Sequence, residues 1–401
     1  MKENVSTVMD ISRWVAALLV VANHARSLIL ADFGEVQNKT LFNKALYLVT
    51  GLGHEAVVVF FVISGFLVGG LTLDRWQARG PDLRSYASAR TSRIYTTLIP
   101  ALLVGAALDF IGSHWVNASA LYSSVSPYHI ASINYALDSA MTLPTFFGNL
   151  FMMQGTLTPP LGSNGALWSL AYEWWYYCIF AGIAAAMTGR GNLTTRTRYA
   201  YGAVALLIAL LLPYAIVLWG AIWVLGIVTH RWIRSTAWRP APLAGFACFI
   251  AALVVSRISH NVAAIENSLS GAFLRDLLLG LCYCVALASS SRLKQPVLSV
   301  RFARWHQELA QFSYTTYLFH LPALVLLCAA LYQLAGWPLA QQPDGAGIAY
   351  LTGAILLTCL YCFAMSTVTE RYTPNVRRKL DTLLTWASPR SGLSRARAPE
   401  A

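Results

Sequence analysis

Residues 8–30 read VMDISRWVAALLVVANHARSLIL, an apolar run long enough to cross a bilayer as one helix. A hydrocarbon core of roughly 30 Å needs about 20 apolar residues at the helical rise. The run nevertheless contains the ionisable residues Asp10, Arg13 and His24. A charged side chain inside a bilayer is costly and marks a functional position by default. This stretch therefore predicts a membrane fold and also shows where to look for chemistry.

The composition of the whole chain extends this prediction. Of its 401 residues, 57% are hydrophobic and 11% are charged, less than half of the roughly 25% charged residues that soluble domains contain. So few charges cannot cover a soluble protein of this size, which argues against a soluble enzyme and a disordered chain. Nine more apolar runs occur, at residues 53–73, 94–112, 166–188, 199–213, 215–231, 242–256, 271–290, 309–333 and 347–370. We predict an all-α, polytopic transmembrane helix bundle of about ten spans.

The placement of the basic residues sets the predicted topology. The net charge is +12, but the Lys and Arg residues do not form the basic face with interleaved aromatic residues that a nucleic-acid site needs. They cluster between the apolar runs, at Arg75–Arg93, Arg190–Arg198, Arg231–Arg239, Arg292–Arg304 and Arg371–Arg397. With both termini cytoplasmic, ten spans place all five clusters inside, as the positive-inside rule requires. The cations left on the outer side are Arg26, Lys39, Lys44 and Arg257.

One further apolar segment, residues 139–155, is short and is broken by Pro144, Gly148 and Gly155. If it crossed the membrane, every later basic cluster would lie outside, so we expect it to be re-entrant or interfacial. Residues 1–380 are then a single membrane domain, and residues 381–401 form a basic, disordered cytoplasmic tail. All seven cysteines lie within apolar runs, which is typical of packing residues, and no metal site is expected.

The first span carries Arg13 and His24 on one helical face. Eleven residues separate them, so the two side chains point within roughly 20° of each other and their Cα atoms lie about 16 Å apart. A fixed cation near the cytoplasm and a titratable imidazole about midway across thus share one face. The alternative is that Arg13 extends to the inner headgroups while His24 is a packed residue of the bundle.

Three other positions suggest chemistry. Glu173 lies in ALWSLAYEWWYY, residues 166–177, where a lone carboxylate needs a partner such as His24 or a substrate hydroxyl. His320 lies near the middle of the ninth span, and could equally be a satisfied buried histidine. Arg90 and Arg93 are neighbours on one helical face. They either anchor the helix at the inner headgroups or bind a phosphate through their guanidinium groups.

These motifs, in this order, resemble those of the acyltransferase 3 family of integral membrane acyltransferases. The Arg13-to-His24 spacing resembles the first-span signature, and FFVISGFLVGG, residues 60–70, resembles the FFVxSGF element with Ser64 in place. Arg90 and Arg93 match the basic R-x-x-R stretch. The other matching elements are W-S-L-x-x-E at Trp168, Ser169 and Glu173, F-S-Y-x-x-Y-x-x-H at Tyr314 and His320, and the closing pattern at Glu370.

The resemblance implies an acyl-CoA-dependent O-acyltransferase of the inner membrane that moves an acyl group, most often acetyl, to a hydroxyl of a surface glycan or its lipid-linked precursor. The implied partners are acyl-CoA, the glycan or glycolipid acceptor and membrane lipids, without a metal or nucleic acid. His24 and Glu173 are the expected catalytic residues. Arg13, Arg90 and Arg93 are expected to bind the donor, supported by Asp10, Ser64, Trp168, Ser169, Tyr314 and His320.

The sequence leaves two alternatives open. A glycan or lipid transporter could use the same polar groups to line a permeation path without any acyl transfer. If the chain is an enzyme, His24 can act as a general base on the acceptor hydroxyl or carry the acyl group transiently.

Overall fold

A computed structural model of the chain describes residues 3–123, 128, 130–189, 191, 193–235, 238–296 and 298–386. These residues fold into helices and connecting loops, without a strand. The helices are α1 (Glu3–Ile29), α2 (Leu41–Thr50), α3 (Gly53–Ser64), α4 (Leu71–Arg79), α5 (Leu83–Trp115), α6 (Leu137–Ala140), α7 (Leu143–Leu150), α8 (Trp168–Met187), α9 (Thr195–Leu211), α10 (Tyr214–Arg234), α11 (Pro242–Ser259), α12 (Ala263–Glu266), α13 (Leu269–Ser290), α14 (Val300–Gln311), α15 (Ser313–Ala335), α16 (Gly345–Val368) and α17 (Thr373–Trp386). A π-helical turn, Gly65–Gly70, joins α3 to α4.

Eight segments in the described chain are long and apolar enough to span a membrane, judged by length and composition. The predicted all-α membrane bundle is thus confirmed as a fold class. The two remaining predicted spans coincide with α8, where Glu173 and the aromatic residues reduce the hydropathy, and with α9, which has 17 residues. The count of ten spans and the cytoplasmic position of both termini stay predictions.

The bundle has two ends that differ in charge. The loops with the arginine clusters meet at one end, where Arg377 donates to Ser85 and Arg292 to the backbone of Arg239. The opposite end joins the loop after α1 to the loop before α16, through a bridge between Leu30 and Gln341. We call these the basic end and the distal end.

The segment that we expected to be re-entrant contains α7, which has eight residues. At the helical rise this is about 12 Å, too short for a bilayer crossing. Asn149, which is fully buried, fastens the following loop to α7, because its side-chain amide donates to Pro159 and its side-chain oxygen accepts from the backbone of Leu161. The later part of this irregular segment, residues 160–167, is buried against protein, whereas Phe151, Gly155 and Leu157 are exposed. Buried irregular backbone is tolerated at membrane depth.

The last helix, α17, continues six residues past the predicted start of the tail at 381. Residues 387–401 lie outside the described residues, as does Arg190 of the second basic cluster. The lateral surface is apolar, with Leu206, Leu210, Leu356 and Leu360 among its exposed side chains. Apolar side chains on the outside are what a lipid-facing surface requires.

Candidate active site

Two buried histidines face each other between α1 and α15. The imidazole rings of His24 and His320 have their centroids 5.2 Å apart, and both side chains lie inside the bundle, 3% and 0% exposed. Because α1 is one continuous helix, Arg13 and His24 share a face as expected, about 16 Å apart along the axis. The neighbour of His24 is therefore a second imidazole.

The hydrogen bonds of His320 indicate its tautomer. Its Nδ1 lies 2.9 Å from each of the backbone oxygens of Thr316 and Tyr317. A ring nitrogen that faces two carbonyl oxygens must carry the proton, which leaves Nε2 as an unprotonated acceptor in the neutral ring. That Nε2 is buried and has no partner among the described residues, and the same holds for Nδ1 of His24. The backbone of Ala131 hydrogen-bonds the His24 ring.

Helix α15 lines a polar column that runs from these histidines toward the basic end. Tyr314, Tyr317 and His320 are three residues apart, so each step along the helix is about 4.5 Å. The Tyr317 hydroxyl donates to the backbone oxygen of Ala166 at 3.0 Å and lies 2.7 Å from the Ser169 hydroxyl. We use the name polar column for Tyr314, Tyr317, His320 and His24.

Glu173 lies beside this column and is held by hydroxyl groups. Ser64 and Tyr177 both donate to its Oε1, at 2.5 Å each. The Ser64 hydroxyl in turn accepts from the indole nitrogen of Trp223 at 3.1 Å. The partners of Glu173 are thus these hydroxyls rather than His24, with which no hydrogen bond appears among the described residues. The charge of Glu173 also acts on Tyr314.

A close contact between two helices positions Ser64. A methyl group added at Gly65 would lie 1.8 Å from the backbone oxygen of Trp223, and one added at Gly226 would lie 2.1 Å from the backbone oxygen of Val62. Glycine at both positions lets α3 approach α10 at backbone distance, which brings the Trp223 indole to Ser64. The π-helical turn begins at Gly65, and such turns often occur at functional sites.

Two of the predicted donor-binding arginines lie at the basic end of the column with different partners. Arg93 forms an ion pair with Glu370, and its guanidinium lies 5.0 Å from the centre of the Tyr314 ring. Arg90 lies between the rings of Tyr86 and Tyr177, 5.9 and 5.8 Å from their centres. The Nε of Arg90 is buried without a hydrogen-bond partner in the described part of the chain.

Arg13 completes this cationic group. Its nearest carboxylate is Asp10 at 3.9 Å, and its charge also interacts with those of Arg93, Glu370 and Glu173. The side chain of Arg13 is 22% exposed and that of Arg93 is 33% exposed, although both lie within the bundle. The predicted donor-binding residues thus gather at the basic end of the column, where Arg13 and Arg93 are partly accessible.

Trp168, the remaining predicted residue, packs its ring edge-on against Tyr172 and Phe61, with centroids 5.1 and 6.4 Å away. The sequence analysis did not select Tyr86, Tyr177 or Trp223. All three are aromatic residues with polar edges, a type that occurs throughout membrane interfaces. Only Tyr177 has a sequence signal, because it follows Glu173 by four residues on the same helix.

The distal end holds a second buried group of charges, which we also did not predict. We call it the distal network, and its members are His54, Glu55, His260, Glu266, Arg275 and Asp276. Asp276 is fully buried and accepts from His54, Trp219 and Arg275 at 2.7, 2.8 and 3.0 Å. A carboxylate within an apolar run is the signal that identified Glu173, and the same signal is present at Asp276.

Glu266, in the short helix α12, closes the exposed side of this network. It accepts from Arg275 and lies 3.0 Å from His260. Partial burial opposes the ionisation of Glu266, but the Arg275 hydrogen bond and the His260 charge outweigh it and hold its pKa below the ordinary value.

Comparisons with known proteins match this chain to one family. The model of the acyltransferase 3 family, described as an acyltransferase domain, matches residues 7–367. An uncharacterised protein of Haemophilus influenzae is 30% identical over 126 residues, which are 30% of this chain and 45% of that protein. The matched region thus spans less than half of that relative. No solved structure matches the chain.

Because the family model covers nearly the whole chain, the protein belongs to the acyltransferase 3 family. Its apolar helices and its family identify it as a multi-pass membrane protein with an acyltransferase domain.

Proposed function

We propose that this acyltransferase 3 family member is an O-acyltransferase of the cytoplasmic membrane. It moves an acyl group, most often acetyl, from cytosolic acyl-CoA to a hydroxyl of a surface glycan or its lipid-linked precursor. The observation that carries this proposal is the pair of facing imidazoles, His24 and His320, each with a buried unpartnered nitrogen. The polar column joins this pair to the arginines at the basic end.

The donor binds at the basic end, which the positive-inside rule places in the cytosol. Coenzyme A carries several phosphates, and guanidinium groups bind phosphate oxygens in pairs. Of the three arginines, Arg90 is best placed to bind a phosphate, because two tyrosine rings hold its guanidinium and its Nε lacks a partner. Arg93 is already neutralised by Glu370, so Arg13 and Arg90 carry most of the attraction.

The thioester arm extends from the arginines along the polar column, and its carbonyl carbon arrives at His24. The separation of about 16 Å between Arg13 and His24 supports a route in which a cytosolic donor meets, at this imidazole, an acceptor that enters from the distal end. Ser169 and Tyr317 border this path through their 2.7 Å contact. Trp168 and the Asp10 carboxylate have supporting roles, in packing and in holding Arg13.

The reaction needs one proton acceptor. An unprotonated ring nitrogen of His24 takes the proton of the acceptor hydroxyl, and the hydroxyl oxygen attacks the thioester carbon. The C–S bond then breaks, and the coenzyme A thiolate leaves and recovers the proton. In the acyl-enzyme alternative, the His24 nitrogen attacks the thioester carbon, the C–S bond breaks and the coenzyme A thiolate leaves. The acceptor oxygen then attacks the acyl carbon and displaces the imidazole, and the hydroxyl proton passes to the thiolate. His320 presents its bare Nε2 to the same space and serves as the second imidazole in either route.

Glu173 acts as a positioning carboxylate beside the column. It fixes the hydroxyls of Ser64 and Tyr177, and Tyr177 in turn holds Arg90. A single carboxylate thus links the donor-binding arginine to the wall of the column.

Turnover of acetyl-CoA by the purified protein in lipid nanodiscs tests this function. We expect release of the coenzyme A thiol, accelerated by a membrane glycolipid fraction that becomes labelled from radioactive acetyl-CoA. Propionyl- and palmitoyl-CoA in parallel define the acyl preference. A protein that leaves the thioester intact with every glycolipid fraction, but moves the glycolipid across a sealed vesicle, would be a transporter.

A further inference from the structure

Two arginines at the distal end resemble Arg90 in having a buried Nε atom without a hydrogen-bond partner among the described residues. Arg26 lies in the last turn of α1 and Arg257 in the last turn of α11. Neither forms an ion pair within the described residues, and the Nε atom of each is buried without a hydrogen-bond partner there. Both side chains are only partly exposed.

Helix α2 brings these arginines together. The guanidinium of Arg26 lies 5.2 Å from the centre of the Tyr47 ring. A methyl group at Gly51 would lie 2.1 Å from Nε of Arg257, so that nitrogen rests against the bare glycine backbone. Tyr47 and Gly51 are four residues apart on one face of the helix, about 6 Å along its axis. The two guanidinium groups are close enough for their charges to repel.

No neighbouring carboxylate among the described residues forms an ion pair that neutralises the positive charges of these two arginines. Asp32 acts on Arg26 electrostatically but is farther than the 4.0 Å of an ion pair. In the distal network, Glu55 and Glu266 are paired with His260, and Asp276 with His54 and Arg275. Two neighbouring guanidinium groups that are partly buried and have N–H donors without partners are typical of an oxyanion-binding site without its ligand.

We propose that Arg26 and Arg257 together bind the phosphate group of a lipid-borne ligand at the distal end. Both residues lie in the last turns of their helices, at the end of the bundle opposite the basic end. The planar guanidinium groups supply paired donors to phosphate oxygens. Arg26 follows His24 by two residues, about 200° around α1, so a bound phosphate lies on the opposite side of α1 from the column and does not block it.

The phosphate can come from a phospholipid headgroup or from the phosphate linkage of a lipid-linked glycan acceptor. In the second case the site holds the acceptor at the membrane while the sugar of the acceptor reaches His24. This second case rests on the proposed function. Phosphate binding by Arg26 and Arg257 does not depend on the proposed function, because lipid retention is measured without acyl transfer.

Native mass spectrometry of the purified protein tests the site with two probes, phosphatidylglycerol and a polyprenyl diphosphate, each against a phosphatidylcholine background. We expect the variant Arg26→Gln/Arg257→Gln to retain the bound probe at least about tenfold less than the wild type, the effect of losing one charge-assisted contact. The matched control is Lys39→Gln/Lys44→Gln, which removes the same charge from exposed residues at this end and should retain the probe.

The charge-conserving variant Arg26→Lys/Arg257→Lys covers the case in which the glutamine variant does not fold. It keeps both charges but loses the paired donors, and we expect weakened retention. Retention of phosphatidylglycerol alone identifies a phospholipid site, and retention of the diphosphate alone identifies an acceptor site. The proposal fails if the wild-type protein retains neither probe. It also fails if both arginine variants retain them as well as the lysine-to-glutamine control does.

Discussion

The polar column and the distal network both bury ionisable side chains among apolar helices, but they differ in how completely those groups are paired. In the distal network, Asp276 accepts three hydrogen bonds and Arg275 contacts two carboxylates. In the column, the facing nitrogens of His24 and His320 have no partner among the described residues. The ionisable groups of the distal network are thus ion-paired with one another, although Glu55 Oε2 and His260 Nε2 lack a hydrogen-bond partner among the described residues. Within the described chain, the two histidines of the column have no charged partner.

The difference separates a structural role from a chemical one. Charged groups that neutralise one another inside the bundle hold its helices together, because removing one partner leaves the other buried and uncompensated. An unsatisfied buried polar atom costs about 1–3 kcal/mol, so a folded protein keeps one where something else will use it. Substitutions in the distal network should therefore affect stability, and substitutions in the column should affect turnover.

The largest effect is expected for His24→Ala. Loss of a general base typically lowers the rate by about 10² to 10⁴, while an alanine in the column leaves no new unpaired charge. Acyl transfer per folded molecule should fall by this factor, with donor affinity and thermal stability nearly unchanged. His114→Ala, which removes an exposed imidazole, is the control. Wild-type turnover in His24→Ala would end the catalytic assignment.

The second-largest effect is expected for Asp276→Ala, which should lower the free energy of unfolding. Removing one partner of a buried charged group leaves the others uncompensated, at a cost of about 3–5 kcal/mol. Thermal unfolding in detergent should show a marked loss, while the turnover of the molecules that remain folded is spared. A stable Asp276→Ala protein with impaired turnover would reverse the comparison and place the chemistry at the distal end.

A smaller effect is expected for Arg90→Ala. One charge-assisted phosphate contact contributes about 1.5–3 kcal/mol, which weakens coenzyme A binding about ten- to a hundredfold. Calorimetric titration with coenzyme A measures this. Arg84→Ala removes an exposed arginine from the same basic cluster and should bind normally. Equal affinity in both variants would mean that Arg90 only anchors the helix.

The smallest effect concerns pH and Glu266. Its pKa is lower in the folded protein, so its ionised form stabilises the fold at a pH above the unfolded value of about 4.3. This contribution is lost as the pH falls through the folded pKa. Unfolding midpoints of the wild type and Glu266→Gln should differ slightly near neutral pH and converge on acidification. A gap that stays constant would exclude the carboxylate charge as its cause.

The membrane class, the helix positions and the Arg13–His24 face were predictable because they depend on local quantities. Apolar run length sets where a spanning helix lies, and the 100° turn per residue sets which side chains share a face. The partners were not predictable in the same way. Glu173 was expected to have a histidine such as His24, or a substrate hydroxyl, as its partner. It accepts from Tyr177, which lies one turn along the same helix and which helical spacing could indicate. It also accepts from Ser64 of α3, which only the packing of two helices brings near.

The sequence by itself determined that this protein is a helical membrane protein, because hydrophobic burial in a bilayer acts on each segment separately. The family motifs likewise selected the candidate site residues. Only the tertiary structure decided which of them meet. The packing of α1 against α15 paired His24 with His320, and the face of α2 brought Arg26 and Arg257 together. Such contacts depend on how helices far apart in the chain are rotated against each other, which no spacing within one helix records.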